Sequence, residues 1–187
     1  MSNPKARPPV LASSHDVELA GLAQGGDRAA YGELVRRHGA AIRGLLLRLG
    51  ADPTLADDVA QEGFLTAFEQ IGDFRGESAF LAWIKRIVAR LYIKRLRRET
   101  RGGLLDLTAR PDGETSAIAQ DVLGGADLDQ ALRGLTRSER LCVGLCYGAG
   151  FSHAEVADAL NAPLSAVKSE VKRGLDKLRS GLAWGGV

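Results

Sequence analysis

Between Lys85 and Arg101, eight cations (Lys85, Arg86, Arg90, Lys94, Arg95, Arg97, Arg98 and Arg101) stand against Glu99 alone, seven net positive charges in 17 residues. Such density is the electrostatic footprint of a phosphate-binding surface, because each neutralised phosphate releases condensed counterions; a solvated helix face is the competing explanation. Arg86, Arg90, Lys94 and Arg97 recur at spacings of four, four and three, with Trp83 on the same side and Ile84, Val88, Leu91 and Tyr92 opposite. A cation stripe of this kind can follow a melted or single strand while an indole covers or wedges an unstacked base. Trp83 could equally belong to a core. Just upstream, Asp52 to Glu77 carries seven acids against Arg75, six net negative charges. Adjacent blocks of opposite sign suggest two different partners. A second cationic group, Lys168, Lys172 and Arg179 beside Ser165 and Ser169, lies near the C-terminus. Small hydroxyls and lysines are what a DNA major groove accepts.

Other chemistry is hard to find. There is no nucleophile elbow, P-loop or dinucleotide fingerprint, and His15, His38 and His153 are dispersed, so no enzyme is expected. Cys142 and Cys146 with His153 invite a zinc proposal, but no fourth ligand is evident and cysteines four apart on an apolar helix read better as small core residues. Neither metal nor cofactor is expected. Two cysteines give no disulfide framework and fit a reducing compartment. Met1 to Ser14 lacks a signal-peptide core and no run reaches the ~18 apolar residues of a membrane span, so a soluble cytoplasmic protein without membrane insertion is expected.

The elements that must position these residues read as helices. The 187 residues are 45% hydrophobic, 26% charged and only 5% aromatic, with a formal charge of +2, a globular composition for one ordinary domain or two small ones with thin cores. Strand-type alternation is absent and Ala, Leu, Arg and Glu dominate. A short helix is expected at about Val17 to Ala23. Asp27 can cap a helix to Leu49 ended by Gly50; Asp52 with Pro53 opens another to about Ile71; Ser78 can cap a third, Ala79 to about Glu99. From Thr100 to Ala126 six Gly and Pro residues punctuate a stretch without apolar period, read as a flexible linker. Beyond it, helices are expected at about Asp127 to Gly134, Arg137 to Tyr147, His153 to Leu160 and Ala166 to Ser180. Thr136 with Glu139 and Ser152 with Glu155 form capping boxes. The expected organisation is all-α: a disordered N-terminus (1–14), a helical domain (15–99), the linker (100–126), a second helical domain (127–182) and a short tail (183–187), with the two lobes variable in relative placement.

In the second lobe Ala154, Val156, Ala157 and Leu160 make the apolar side of a short helix, Asn161 to Pro163 break it, and Ser165 can cap the longer helix that follows. This is helix-turn-helix syntax. Val167, Val171, Leu175 and Leu178 fall on one side of that second helix and leave Lys168 and Lys172 on the neighbouring face.

With these pieces in place, DDVAQEGFLTAFEQI (Asp57 to Ile71) followed by FRGESAFLAWIKRIVARLYIKRLRR (Phe74 to Arg98) resembles region two of the extracytoplasmic-function (ECF) sigma factors of bacterial RNA polymerase. ALRGLTRSERLCVGLCYGAGFSHAEVADALNAPLSAVKSEVKRGLDKLR (Ala131 to Arg179) resembles their region four. The resemblance implies that the acidic helix docks on core RNA polymerase through Asp58, Gln61, Glu62, Leu65 and Glu69. It implies that Phe74, Arg75, Gly76, Glu77, Ser78, Phe80 and Trp83 line a site for a base flipped from the minus-ten promoter element, flanked by Arg86, Arg90, Lys94 and Arg97. Ser165, Ala166, Lys168, Ser169, Lys172 and Arg173 would read the minus-thirty-five element. An anti-sigma factor would hold the chain inactive. Family members often carry Asn and Asp where this chain has Arg90 and Lys94, and Thr and Arg where it has Ala166 and Glu170. Glu170 points toward Arg173 and Lys177, where it can pair with Arg173. A helix-turn-helix regulator acting on duplex operator without polymerase is the alternative, and it has no use for the acidic helix; a protein-only adaptor has none for the basic stripe.

Overall fold

The computed structural model describes residues 11–99 and 126–183, which are helices joined by turns and short loops, with no strand among them. The helices are α1 (Asp16–Gln24), α2 (Arg28–Leu49), α3 (Pro53–Glu69), α4 (Phe80–Glu99), α5 (Ala126–Arg133), α6 (Arg137–Val143), α7 (His153–Leu160) and α8 (Leu164–Ala183). The expected linker at 100–126 falls outside the described residues except for Ala126, which opens α5; the tail lies outside from residue 184.

Local chemistry explains most boundaries. Asp27 accepts the amides of Ala29 and Ala30 at the start of α2, and Gly50 ends that helix at φ 103°, a conformation that favours glycine. Asp52 accepts from Leu55 before Pro53. Both capping boxes form, Thr136 with Glu139 and Ser152 with Glu155. Other ends differ from expectation. Helix α3 stops at Glu69 and a 3-10 turn, Ile71–Asp73, carries the chain into the loop. Helix α4 begins at Phe80, with the Ala79 carbonyl taking amides of Ala82 and Trp83, one residue after the expected Ser78 cap. Helix α8 begins at Leu164, because the Pro163 carbonyl already receives the Val167 amide; Ser165 lies inside the helix rather than capping it. Helix α6 gives way at Val143 to a π turn, Gly144–Gly148, where the Ala149 amide reaches back to the Gly144 carbonyl.

Of the expected disordered N-terminus, 1–14, residues 1–10 lie outside the described residues and 11–14 are ordered. Leu11–Ser13 form a 3-10 turn pinned by Arg37, whose guanidinium donates to the carbonyls of Leu11, Ala12 and Ser14 at 2.7 to 3.0 Å. Glu33 holds that guanidinium from the other side at 2.8 Å.

Helix α4 is the centre of the first lobe, with Phe80, Ile84, Val88, Ala89 and Tyr92 fully buried. It approaches α3 so closely at Gly63 that an added Cβ would lie 2.2 Å from Val88 Cγ1. In the second lobe α8 lays Val167, Val171, Leu175 and Leu178 against α5, α6 and α7, the side expected from their spacing. One apolar cluster runs from α1 through α4 into Leu141, Leu145, Val156, Leu160 and Val167, with Leu132, Leu135, Val143 and Leu178 as a satellite. The lobes meet where Leu45 and Leu49 of α2 lie against Gly148 and Gly144: a Cβ at either glycine would fall 2.8 or 2.6 Å from the facing leucine. In this arrangement the two lobes are in contact, with two glycines one turn apart admitting the leucines of the other lobe.

Two outcomes follow from this packing. Gly63→Ala should lower stability by ~1–3 kcal/mol through overpacking at Val88, read as a lower urea midpoint with unchanged slope; an unchanged midpoint would mean that α3 and α4 separate freely. Cys142 is fully buried, and burial first, then Glu170 and Cys146, push its thiol up to about 12. Burial raises Cys146 as well. A raised thiol pKa removes thiolate at pH 8, so a disulfide reagent should titrate both cysteines quickly only after unfolding; fast labelling of Cys142 in the folded chain would contradict its placement.

Candidate functional site

The acidic helix presents one clear face. Asp58, Gln61, Leu65 and Glu69 are exposed at spacings of three, four and four, and Leu65, 60% exposed, is a large apolar side chain among acids and amides. Helix α3 can spare this face because Ala56, Val59, Phe64 and Ala67 hold the other against the core. Glu62 sits at the edge of the exposed face and accepts from Arg95 of α4 at 2.7 Å. Asp57 is paired with Arg43 at 2.5 Å.

Between α3 and α4 the loop is held from beneath. The Gln24 side chain, from α1, donates to the carbonyls of Ile71 and Phe74 at 2.9 and 2.8 Å. Gly76 has φ 73°, a left-handed conformation that glycine adopts without strain, and Val17 of α1 lies over it. Arg75, Glu77 and Ser78 are exposed around this turn. Phe74 and Phe80, expected among the lining residues, are instead 5% and 0% exposed. Their rings form a cluster with Trp83 at centroid distances of 5.4 to 5.6 Å. The half-buried indole of Trp83 thus packs against the core, and the two phenylalanines support the loop rather than face out of it.

The cation stripe is present on α4, but its members differ in freedom. Arg90, Lys94 and Arg97 are exposed, and with Arg98, Ile93 and Ala159 of α7 they line an open cleft of about 360 Å³. Arg86 is engaged by the second lobe. It donates to the Gly150 carbonyl at 2.8 Å, forms an ion pair with Glu155, and stacks over the Phe151 ring at 4.6 Å. Arg90 lies 5.9 Å from the same ring. Glu155 is held down at about 2 by the Ser152 amide, the Arg86 guanidinium and the Ser152 hydroxyl.

On α8, Ser165, Lys168, Ser169 and Lys172 are exposed together, and the Ser169 hydroxyl donates to the Ser165 carbonyl. Ala166 is half-buried and packs against the core. Arg173 is taken by acids: it pairs with Glu170, as the wheel places it, and lies 3.9 Å from Glu139. Lys177, expected beside Glu170, pairs with Glu139 at 2.7 Å. Sequence reading misses Gln24, Val17, Gly150, Phe151 and the second role of Glu155, because their partners lie about 50 to 70 residues away in the chain. Among the described residues no group of His, Cys, Asp and Glu is placed to hold a metal, and no helix is long and apolar enough to cross a membrane.

The arrangement can be set against known proteins. The family model for Sigma-70 region 2 matches residues 34–102 and that for Sigma-70 region 4 matches 131–180. The ECF RNA polymerase sigma factor SigE of Mycolicibacterium smegmatis is 32% identical over 84% of this chain, which spans 65% of that relative's length. The ECF RNA polymerase sigma factor SigK of Mycobacterium tuberculosis is 29% identical, with 92% of this chain and 96% of that one covered. Among solved structures, CnrH in complex with the cytosolic domain of CnrY is similar at a TM-score of 0.52 and 28% identity, over 92% of this chain and 99% of that one. The sigma factor RpoE in complex with the anti-sigma factor NepR, from Bartonella quintana, shares the fold at a TM-score of 0.50 and 21% identity, over 82% and 96% of the two chains. With both regions matched in order on the helices that carry the acidic face, the cation stripe and the helix-turn-helix, the chain belongs to the ECF sigma factors of the sigma-70 family.

Proposed function

We propose that this chain binds core RNA polymerase and directs sequence-specific transcription initiation, supplying recognition surfaces and no catalysis of its own. The observation that carries the reading is the coexistence on one short chain of an acidic face with an exposed Leu65 and two separate cationic surfaces, α4 and α8. A regulator that met only duplex operator would leave that leucine without a partner. Asp58, Gln61, Leu65 and Glu69 form the polymerase-docking face, and Glu62 positions it through Arg95. Arg75, Glu77 and Ser78 with Arg90, Lys94 and Arg97 meet the minus-ten element; Arg86 joins them when the second lobe releases it. Ser165, Lys168, Ser169 and Lys172 meet the minus-thirty-five element, and Arg173, already paired, acts mainly to hold α8. Since CnrH, similar over most of its length, was captured with the cytosolic domain of CnrY, control by an anti-sigma protein covering these faces fits the same reading.

The docking face is tested by Asp58→Lys with Leu65→Ala. The pair should cut core polymerase binding at least ~10-fold, as expected for central interface residues, with far-UV helicity unchanged; full co-elution with polymerase would remove the face from the reading. Lys168→Ala with Lys172→Ala should weaken upstream duplex binding and reduce the slope of log affinity against log salt by about one for each phosphate no longer neutralised. An unaltered slope would place the phosphate-binding surface elsewhere.

A further inference from the structure

Resting on the reading of α4 as a minus-ten surface, we infer that the chain's own second lobe competes with DNA for that surface, through a latch formed by Gly150, Phe151 and Glu155 on Arg86. Each contact on Arg86 copies one that a nucleic acid would make. The Glu155 carboxylate takes the place of a phosphate, the Gly150 carbonyl that of a second acceptor oxygen, and the Phe151 ring that of a stacked base. Arg90 reaches toward the same ring. Helix α7 therefore covers the Trp83-proximal end of the stripe, and its Ala159 forms one wall of the cleft over Arg90, Lys94, Arg97 and Arg98.

The closure is one-sided. Ser165, Lys168, Ser169 and Lys172 of α8 remain exposed while Arg86 is engaged, so the closed chain keeps its duplex-reading helix available and withholds part of its strand-binding helix. The seam also contains a feature that favours release. Arg140 of α6 is 4% exposed, and its Nε and Nη1 have no hydrogen-bond partner. Burial lowers its affinity for the proton, with only the neighbouring Tyr92 of α4 opposing that. A buried cation with two donor nitrogens unpaired opposes the packed state, so the seam is closed by Arg86 and by the leucine–glycine contacts, and strained at Arg140. Opening frees Arg86 for DNA and Arg140 for water together.

The test uses the full chain carrying Thr54→Cys and Ser180→Cys, two exposed positions in different lobes, labelled with a donor and acceptor dye. The DNA probe is a fluorescein-labelled single strand of mixed sequence, used with chain lacking the dyes. Glu155→Gln keeps an oxygen for the Ser152 amide and removes the charge facing Arg86. Gly148→Ala wedges Leu45 without altering charge. Both should lower energy transfer between the lobes and tighten single-strand binding by ~3–10-fold, since apparent affinity scales with the open fraction, while Arg86→Ala weakens that binding. Unchanged transfer in both variants would overturn the latch. Lowered transfer without tighter binding, with Arg86→Ala still harmful, would overturn the competition and leave the minus-ten reading standing. If Arg86→Ala were also without effect on binding, the reading of the stripe would itself fall.

Discussion

Val88 of α4 lies so close to Gly63 of α3 that one methyl group there would come within 2.2 Å of its Cγ1, and this approach sets where everything else on α4 can go. With Ile84, Val88 and Tyr92 fixed inward, the rigid period of the helix leaves Arg86, Arg90, Lys94 and Arg97 no choice but to share the outer side. The same contact orients α3, so its acidic face and exposed Leu65 look away from the cations rather than neutralising them. Glu62, at the edge, reaches across to Arg95. Two surfaces of opposite sign can coexist on adjacent helices because the tight glycine contact keeps their outer faces divergent.

The second lobe solves a different problem. A recognition helix must expose lysines on one side and still be held firmly, yet α8 has few large apolar residues with which to anchor itself. A buried acid beneath it, on α6, supplies part of the hold. Glu139, 2% exposed, takes the Thr136 amide at the start of α6 and the Lys177 ammonium of α8, and lies 3.9 Å from the Arg173 guanidinium, which also pairs within α8 with Glu170. Ionic contacts with one partner buried are directional, so they fix the rotation of α8 about its axis more tightly than Val167 and Val171 alone would. That accounts for Arg173 being a poor candidate for DNA contact despite its place among the lysines.

How much of this is legible in the sequence depends on the range of the interaction. The caps at Asp27, Asp52, Thr136 and Ser152 act within a few residues and can be read directly, as can the inward side of α8. The π turn at Gly144–Gly148 cannot, since it exists to seat Leu45 and Leu49, about a hundred residues away. Pro163 takes the role expected of Ser165, because a proline carbonyl can accept the first helical bond where a side-chain cap is expected. The aromatic rings of Phe74 and Phe80 look like lining residues by position, and only the three-ring cluster with Trp83 shows them to be support. Gln24 fixes the loop from another helix, and nothing in its neighbourhood marks it.

The seam between the lobes links these parts energetically. A partner tethered on the same chain acts at high effective concentration, so the modest, partly exposed contacts on Arg86 suffice to occupy it much of the time. The same tether makes the competition easy to reverse. Any partner that holds the lobes apart, as a polymerase gripping α3 and a promoter element gripping α8 at fixed spacing would, removes the intramolecular competitor without touching Arg86. On the proposed reading, affinity for the minus-ten strand would then rise, and by linkage a bound strand would in turn strengthen the grip of whatever separates the lobes. An inhibitor needs the reverse property: it must bind the closed seam better than the open one. Charge alone does not provide that, since the exposed lysines of α8 look the same in both states; contact with surfaces of both lobes at once does.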